Sequence, residues 1–288
     1  MHWSWFLVAV SGISNRGTRY STLVWPVLEY LALFSIVLVH EFGHALACRQ
    51  VGGQANQIVL WPLGGVAYVA PPPRPGATLW SIAAGPLVNV VLAPILTVLL
   101  LLARAAGWAE AMPNAYTFLK TLCLINYVLL FFNLLPIYPL DGGQILQSLL
   151  WFVLGRARAL MVAVVIGFVG VGVLILLALL ARDLWIGILC VFILLNCWQG
   201  LMQARVLARI AKLPRRGGYL CPACLQPPII GALWRCNSCS QSFDTFETQA
   251  TFPHCGAQFP TTRCPECGRS HTLAEWAAAA SGQAPPRL

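Results

Sequence analysis

The residues that could do chemistry are His40-Glu41-Phe42-Gly43-His44. Two imidazoles four positions apart share one face of a helix and can be offered to a single metal ion. Glu41 follows the first histidine directly, close enough to work on a water that such an ion holds. The motif ends the apolar run Leu31 to Val39 and is followed by Ala45-Leu46-Ala47. Ionisable groups are costly in such surroundings, which argues for a metal site over a solvated helix face. A catalytic zinc needs a third protein ligand and keeps one position for water. Asp141 is the candidate, being one of very few acids in the apolar part of the chain. It lies in Asn133-Leu134-Leu135-Pro136-Ile137-Tyr138-Pro139-Leu140-Asp141-Gly142-Gly143, where two prolines and two glycines imply a broken helix. Asp141 could equally cap a helix starting near Gln144. Glu29 and Asp183 are weaker competitors.

The elements that must position these groups are membrane-like. The chain is 58% hydrophobic and 9% charged, whereas soluble domains are about a quarter charged. Clear spans are expected at Leu23–Cys48, Leu79–Leu102, Ala115–Leu135, Leu160–Leu180 and Leu184–Leu207. With the shorter apolar segment Trp3–Ile13, which lacks the features of a signal peptide, that makes about six. Gly52 to Gly76 breaks the helical pattern, and Ile58–Trp61 and Val66–Val69 read as a small β-hairpin beside the histidine helix. The fold class is therefore mainly α, a polytopic membrane bundle with a membrane-associated hairpin and a separate C-terminal module.

The formal net charge is +9, carried mostly by arginine. Arg49, Arg74, Arg156, Arg158, Arg205, Arg209, Lys212, Arg215 and Arg216 fall on one side of this threading. Arg16, Arg19, Arg104 and Arg182 fall on the other. The richer side, with the histidine motif, Asp141 and the C-terminus, is expected to face the cytoplasm of a prokaryotic cell (inner) membrane.

Taken in order, His40 to His44, Ala84-Gly85-Pro86-Leu87-Val88-Asn89 and Asn133 to Gly143 resemble the site-2 protease family, the peptidase M50-like intramembrane zinc metalloproteases. The resemblance covers about the first 205 residues. It implies His40, His44 and Asp141 as ligands of a catalytic Zn2+, Glu41 as catalytic base, and Asn133 as a holder of substrate or oxyanion. It also implies that the hairpin is membrane-embedded. The implied activity is endoproteolysis of transmembrane segments of membrane-protein substrates within the lipid bilayer, as in regulated intramembrane proteolysis. A substrate helix must unwind to expose its carbonyls, and the strand Val66-Ala67-Tyr68-Val69 could hold it by strand addition, with Asn89 also on the substrate side. Tyr138 departs from the family pattern, standing where many relatives carry proline.

Composition changes after Lys212. Seven of the eleven cysteines lie between Cys221 and Cys267, and such clustering indicates metal in a reducing compartment rather than disulfides. Cys221-x2-Cys224-x11-Cys236-x2-Cys239 resembles a zinc ribbon binding a structural zinc. Cys255, Cys264 and Cys267, with His254 or His271, form a candidate second structural site; the alternative is a decayed ribbon that binds no metal. The expected domains are 1–212 protease, 213–276 ribbon and 277–288 disordered tail. The ribbon is expected to regulate the enzyme or select substrate through a cytosolic protein partner. Its few basic residues disfavour nucleic acid. Two rival functions are a catalytically silent scaffold, against which stands the joint presence of Glu41 and all three ligand candidates, and a metal transporter, which would be expected to show internal repeats.

Overall fold

Long apolar stretches in a bilayer can satisfy their backbone only within themselves, and they therefore fold as helices. A computed structural model describes residues 20–61, 64–182 and 184–282. Its helices are α1 (Val24–Gln50), α2 (Pro75–Ala105), α3 (Trp108–Ala111), α4 (Pro113–Leu134), α5 (Asp141–Leu154), α6 (Arg156–Ala181) and α7 (Leu184–Ile210), followed by α8 (Leu273–Ala280). Among the described residues, α1, α2, α4, α6 and the Ile186–Ile210 part of α7 are long and apolar enough to cross a membrane. The expected sixth segment, Trp3–Ile13, lies outside the described residues, as does Asp183. The burial pattern is the reverse of a soluble protein's. On α2, Ser81, Ala84, Gly85 and Asn89 are buried while Val91, Val98, Leu101 and Leu102 are exposed. Small and polar residues therefore pack the interior, and large aliphatic ones face outward, where lipid would solvate them.

The chain divides into two compact units, with the division inside α7: Val206 onward, with Pro72–Arg74, forms the second. The boundary expected after residue 212 lies two residues beyond the end of α7 at Ile210.

In the first unit, strands β1 (Gln54–Trp61) and β2 (Gly64–Ala70) pair antiparallel, with Ile58 opposite Ala67 and a bulge between Ala55 and Gln57. The hairpin packs on the end of α1, where Ala45, Cys48 and Ala55 cluster with Ile58 and Val69. The Arg49 guanidinium fastens it, donating to the Ala55 carbonyl at 2.7 Å. The break between α4 and α5 is seated on glycines. Cβ atoms at Gly170 and Gly200 would come within 2.6 Å of Ile137 and 2.7 Å of Tyr138. Ile137 joins Val171, Ile193 and Cys197 in a buried cluster. Gly142 and Gly143 lie so close to the carbonyls of Leu134 and Leu135 and to the Tyr138 backbone that any Cβ would overlap them.

The second unit is built on four turns of one design, starting at Cys221, Cys236, Phe252 and Cys264. In each, the first N–H donates to the carbonyl five residues on, and the fifth residue's N–H donates back to the first carbonyl, at 2.8–3.0 Å. The fifth residues Leu225, Ser240, Gly256 and Gly268 all have φ between 58° and 72°. The second turn closes the hairpin of β3 (Trp234–Arg235) and β4 (Ser242–Phe243), and the fourth that of β5 (Thr262–Arg263) and β6 (Ser270–His271). Two aromatic clusters fill the interior, Phe246 and Trp276 beside Cys221 and Cys264, and Phe243 and Phe252 beside Cys236. Residues 277–280, expected to be disordered, belong to α8. Thr272 and Glu275 form a capping box at its start and Trp276 anchors it in the core.

Asp244 ties this unit together. Its carboxylate accepts from the amides of Gly231 and Phe246, each at 3.0 Å, and from the Arg216 guanidinium at 2.9 Å. Burial alone would raise its pKa, but these donors more than offset that and hold it below the ordinary aspartate range. Its stabilisation is therefore complete above the ordinary aspartate pKa and is lost as pH falls through the lower folded value. Asp244→Ala leaves buried donors without a partner, at a cost of about 1–3 kcal/mol. Hydrogen exchange across residues 229–248 of the full chain should accelerate, and unchanged protection would contradict this role.

Candidate metal centres

His40 and His44 lie on the buried face of α1, one turn apart, and both are about 95% buried (5% exposed each). Each ring is held from behind. His40 Nδ1 lies 2.6 Å from Asn89 Oδ1, and His44 Nδ1–H donates to the Ser81 carbonyl at 2.9 Å. A carbonyl can only accept, so it fixes the His44 tautomer and leaves the Nε2 lone pair for a ligand. The two Nε2 atoms are 3.2 Å apart, and Asp141 Oδ2 lies 3.1 Å from one and 3.4 Å from the other. Donors about 2.0–2.1 Å from a tetrahedral zinc lie about 3.3 Å from one another, so this triangle fits one zinc ion. Electrostatics agree. Two neutral imidazoles beside Asp141 and buried Glu41, when ionised, leave a surplus of negative charge that a divalent cation balances.

Helix α2 supplies the support. Asn89 Nδ2 donates to Asn126 Oδ1 on α4 at 2.8 Å, and Asn126 Nδ2 donates to the Asn89 carbonyl at 3.0 Å. Both asparagines are fully buried. Asn89, expected on the substrate side, therefore stands fully buried behind His40. Asn126 carries no motif; its only sequence signal is an amide inside an apolar span. Gly85 is required by contact, since a Cβ there would overlap the His44 ring.

Asp141 is the first residue of α5. The residue before it, Leu140, holds the capping position without a side-chain bond. The carboxylate thus meets the histidines and does not cap the helix. Glu29 is fully buried on α1 and accepts from the Tyr20 hydroxyl at 2.6 Å, apart from the triangle. Asn133 is half-buried near the end of α4, eight residues before Asp141. Val66 to Val69 lie on β2, where Tyr68 is exposed.

The tail cysteines group differently from the expectation. The sulfurs of Cys221 and Cys224 meet those of Cys264 and Cys267, while Cys236 and Cys239 meet Cys255. The separations are 3.6 Å for Cys221–Cys267, 3.8 Å for Cys224–Cys264 and 3.7 Å for Cys236–Cys255. Sulfurs about 2.3 Å from a tetrahedral zinc lie about 3.8 Å apart. Pairing neighbouring knuckles in sequence was the natural expectation, but the first and fourth turns share the Phe246–Trp276 core, and the second and third enclose their own aromatic cluster. Neither histidine joins a group. His271 faces Glu275 at 3.7 Å, and exposed His254 stacks on Phe252.

Residues 29–117 and 105–177 match the family model described as Peptidase family M50. A zinc metalloprotease of Methanocaldococcus jannaschii is 31% identical over 194 residues, 67% of this chain and 54% of that protein. Stage IV sporulation protein FB of Bacillus subtilis is 35% identical over 121 residues, 40% of this chain and 38% of that protein. The fold is similar to the solved structure of a site-2 protease from Methanocaldococcus jannaschii, with a TM-score of 0.50 and 26% identity over 68% of this chain and 88% of that one. The chain therefore spans about half the length of the first sequence relative and less of the second.

The contact at Gly85 yields a test. Gly85→Ala should push the His44 ring off its Ser81 anchor and lower zinc affinity by about 10–100-fold, with the helices intact by circular dichroism. Full zinc retention would show that the ring tolerates the extra carbon.

Proposed function

Because the chain belongs to peptidase family M50, we propose that it is an intramembrane zinc endopeptidase acting on transmembrane segments of membrane proteins. The observation that carries this reading is the triangle of His40 Nε2, His44 Nε2 and Asp141 Oδ2 beside buried Glu41. His40, His44 and Asp141 are the proposed ligands, and the fourth position stays open for substrate and water. Zinc bound there supplies Lewis acidity toward a carbonyl oxygen and lowers the pKa of water it holds.

The chain's own residues do the rest. Asn89 and Ser81 keep both imidazoles aimed by holding their Nδ1 atoms. Glu41 takes a proton from the attacking water and returns it to the leaving amine. Asn133 steadies the substrate or its developing oxyanion. A helical substrate must unwind before its carbonyl is accessible. Among the described residues β1 and β2 form a two-stranded sheet, so each keeps one edge without a partner strand there, and the edge of β2 at Val66–Val69 can receive the unwound segment. Arginine placement supports a cell-membrane location with the site and the C-terminus toward the cytoplasm. Cys221, Cys224, Cys264 and Cys267 hold a structural zinc in the tail, which acts as a regulatory or substrate-selecting module for a cytosolic protein partner.

Two variants separate base from ligand. Glu41→Gln should keep its zinc and lose about 10²–10⁴-fold in cleavage of a transmembrane substrate; a variant within tenfold of wild type would remove Glu41 from the role. Asp141→Ala should lose the catalytic zinc along with activity, since two ligands remain. Full zinc retention, counted with the tail cysteines replaced by serine, would mean that the third ligand lies elsewhere.

A further inference from the structure

With Cys221, Cys224, Cys264 and Cys267 grouped, the second and third turns of the tail remain. The third, Phe252-Pro253-His254-Cys255, repeats the backbone hydrogen bonds of the other three and their left-handed fifth residue. It differs in one respect: phenylalanine stands where each of the others begins with cysteine. Phe252 is 2% exposed, its ring packs against Phe243 at 5.1 Å, and it shares a buried cluster with Cys236. It is thus part of the core and contributes no donor atom. The three sulfurs of Cys236, Cys239 and Cys255 nevertheless lie within 4.8 Å of one another. We propose that these three cysteines bind a second zinc ion in the tail with no fourth protein ligand among the described residues, so that its remaining position is open to water.

The spacing fits a tetrahedral site. Cys236 and Cys255 sulfurs are 3.7 Å apart, close to the edge of a tetrahedral zinc–sulfur site, about 3.8 Å, and shorter than the roughly 4.0 Å of a planar three-sulfur site. Three sulfurs around a tetrahedral zinc leave one vertex. Cys239 and Cys255 are exposed, so solvent reaches that vertex. His254 does not fill it, because its ring is exposed and stacked on Phe252 at 6.0 Å. The two tail sites therefore differ in kind. The first is closed by four sulfurs, of which Cys221 and Cys264 are buried. The second has the three-ligand, one-open arrangement that permits exchange. The tail holds one zinc fast and exchanges the other with its surroundings.

The test uses the full-length protein in detergent, with zinc counted by elemental mass spectrometry and release followed with a chelating dye. In an Asp141→Ala background, which removes the catalytic zinc, the protein should release one zinc per chain about tenfold or more faster than the closed tail site does. Cys255→Ser should lower the count by one and abolish that fast phase, while Cys221 and Cys224 stay protected from alkylation. Phe252→Cys should keep the count and convert the fast zinc to slow, because it supplies the missing sulfur at a turn already shaped for it. Equal zinc in wild type and Cys255→Ser would overturn the proposal, as would a fast phase that persists in a folded Phe252→Cys protein. If losing the Phe252 ring prevents folding, Cys239→Ser decides in its place: this exposed position gives up no aromatic packing, and an unchanged zinc count there overturns the site.

Discussion

The close approach of α1 and α2 governs the rest of the membrane unit. A Cβ at Gly43 would stand 2.7 Å from the Ala84 carbonyl, and one at Gly85 would overlap the His44 ring. Two helices can lie this near only where small residues face each other. At that separation the Ser81 carbonyl reaches His44 Nδ1 and Asn89 reaches His40 Nδ1. A wider gap would leave both rings unanchored and their polar atoms unpaired in an apolar interior, where each missing hydrogen bond is expensive. The same packing lets Asn126 on α4 complete the Asn89 amide. One steric condition thus yields helix association, ring orientation and polar satisfaction together.

The third donor arrives from a different part of the chain, and its path is set by the same economy of volume. Between α4 and α5 the backbone turns at Pro136 and Pro139, seats Ile137 and Tyr138 on glycines of α6 and α7, and re-enters a helix at Asp141. Gly142 and Gly143 let the first turn of α5 lie directly on the preceding carbonyls. Asp141 is therefore delivered to the histidines by rigid, packed backbone, which favours a site held to a few tenths of an ångström.

Much of this was legible in the residues. The i, i+4 histidines, the glutamate between them and the aspartate at a proline-glycine break each carry their chemistry in type and spacing, and the long apolar runs announce the spans. Asn126 was not legible, because a buried amide within a span shows nothing of its partner. Asn89 stands out as a polar residue in its span, but its neighbour is set by helix packing, so spacing does not reveal its place behind His40. The tail shows the limit most clearly. Each Cys-x2-Cys turn is local and readable, whereas which turns share an ion depends on which aromatic cluster encloses them. The Thr272–Glu275 capping box, by contrast, is present in the sequence and marks the start of α8, which runs on into the stretch expected to be tail.

Crystals of the full-length protein measured at the zinc absorption edge test the central claim most directly. The account predicts an anomalous peak inside the triangle of His40 Nε2, His44 Nε2 and Asp141 Oδ2, about 2.0–2.2 Å from each donor, with Glu41 facing its open side. Zinc peaks confined to the tail cysteines, with none between α1 and the start of α5, would contradict it.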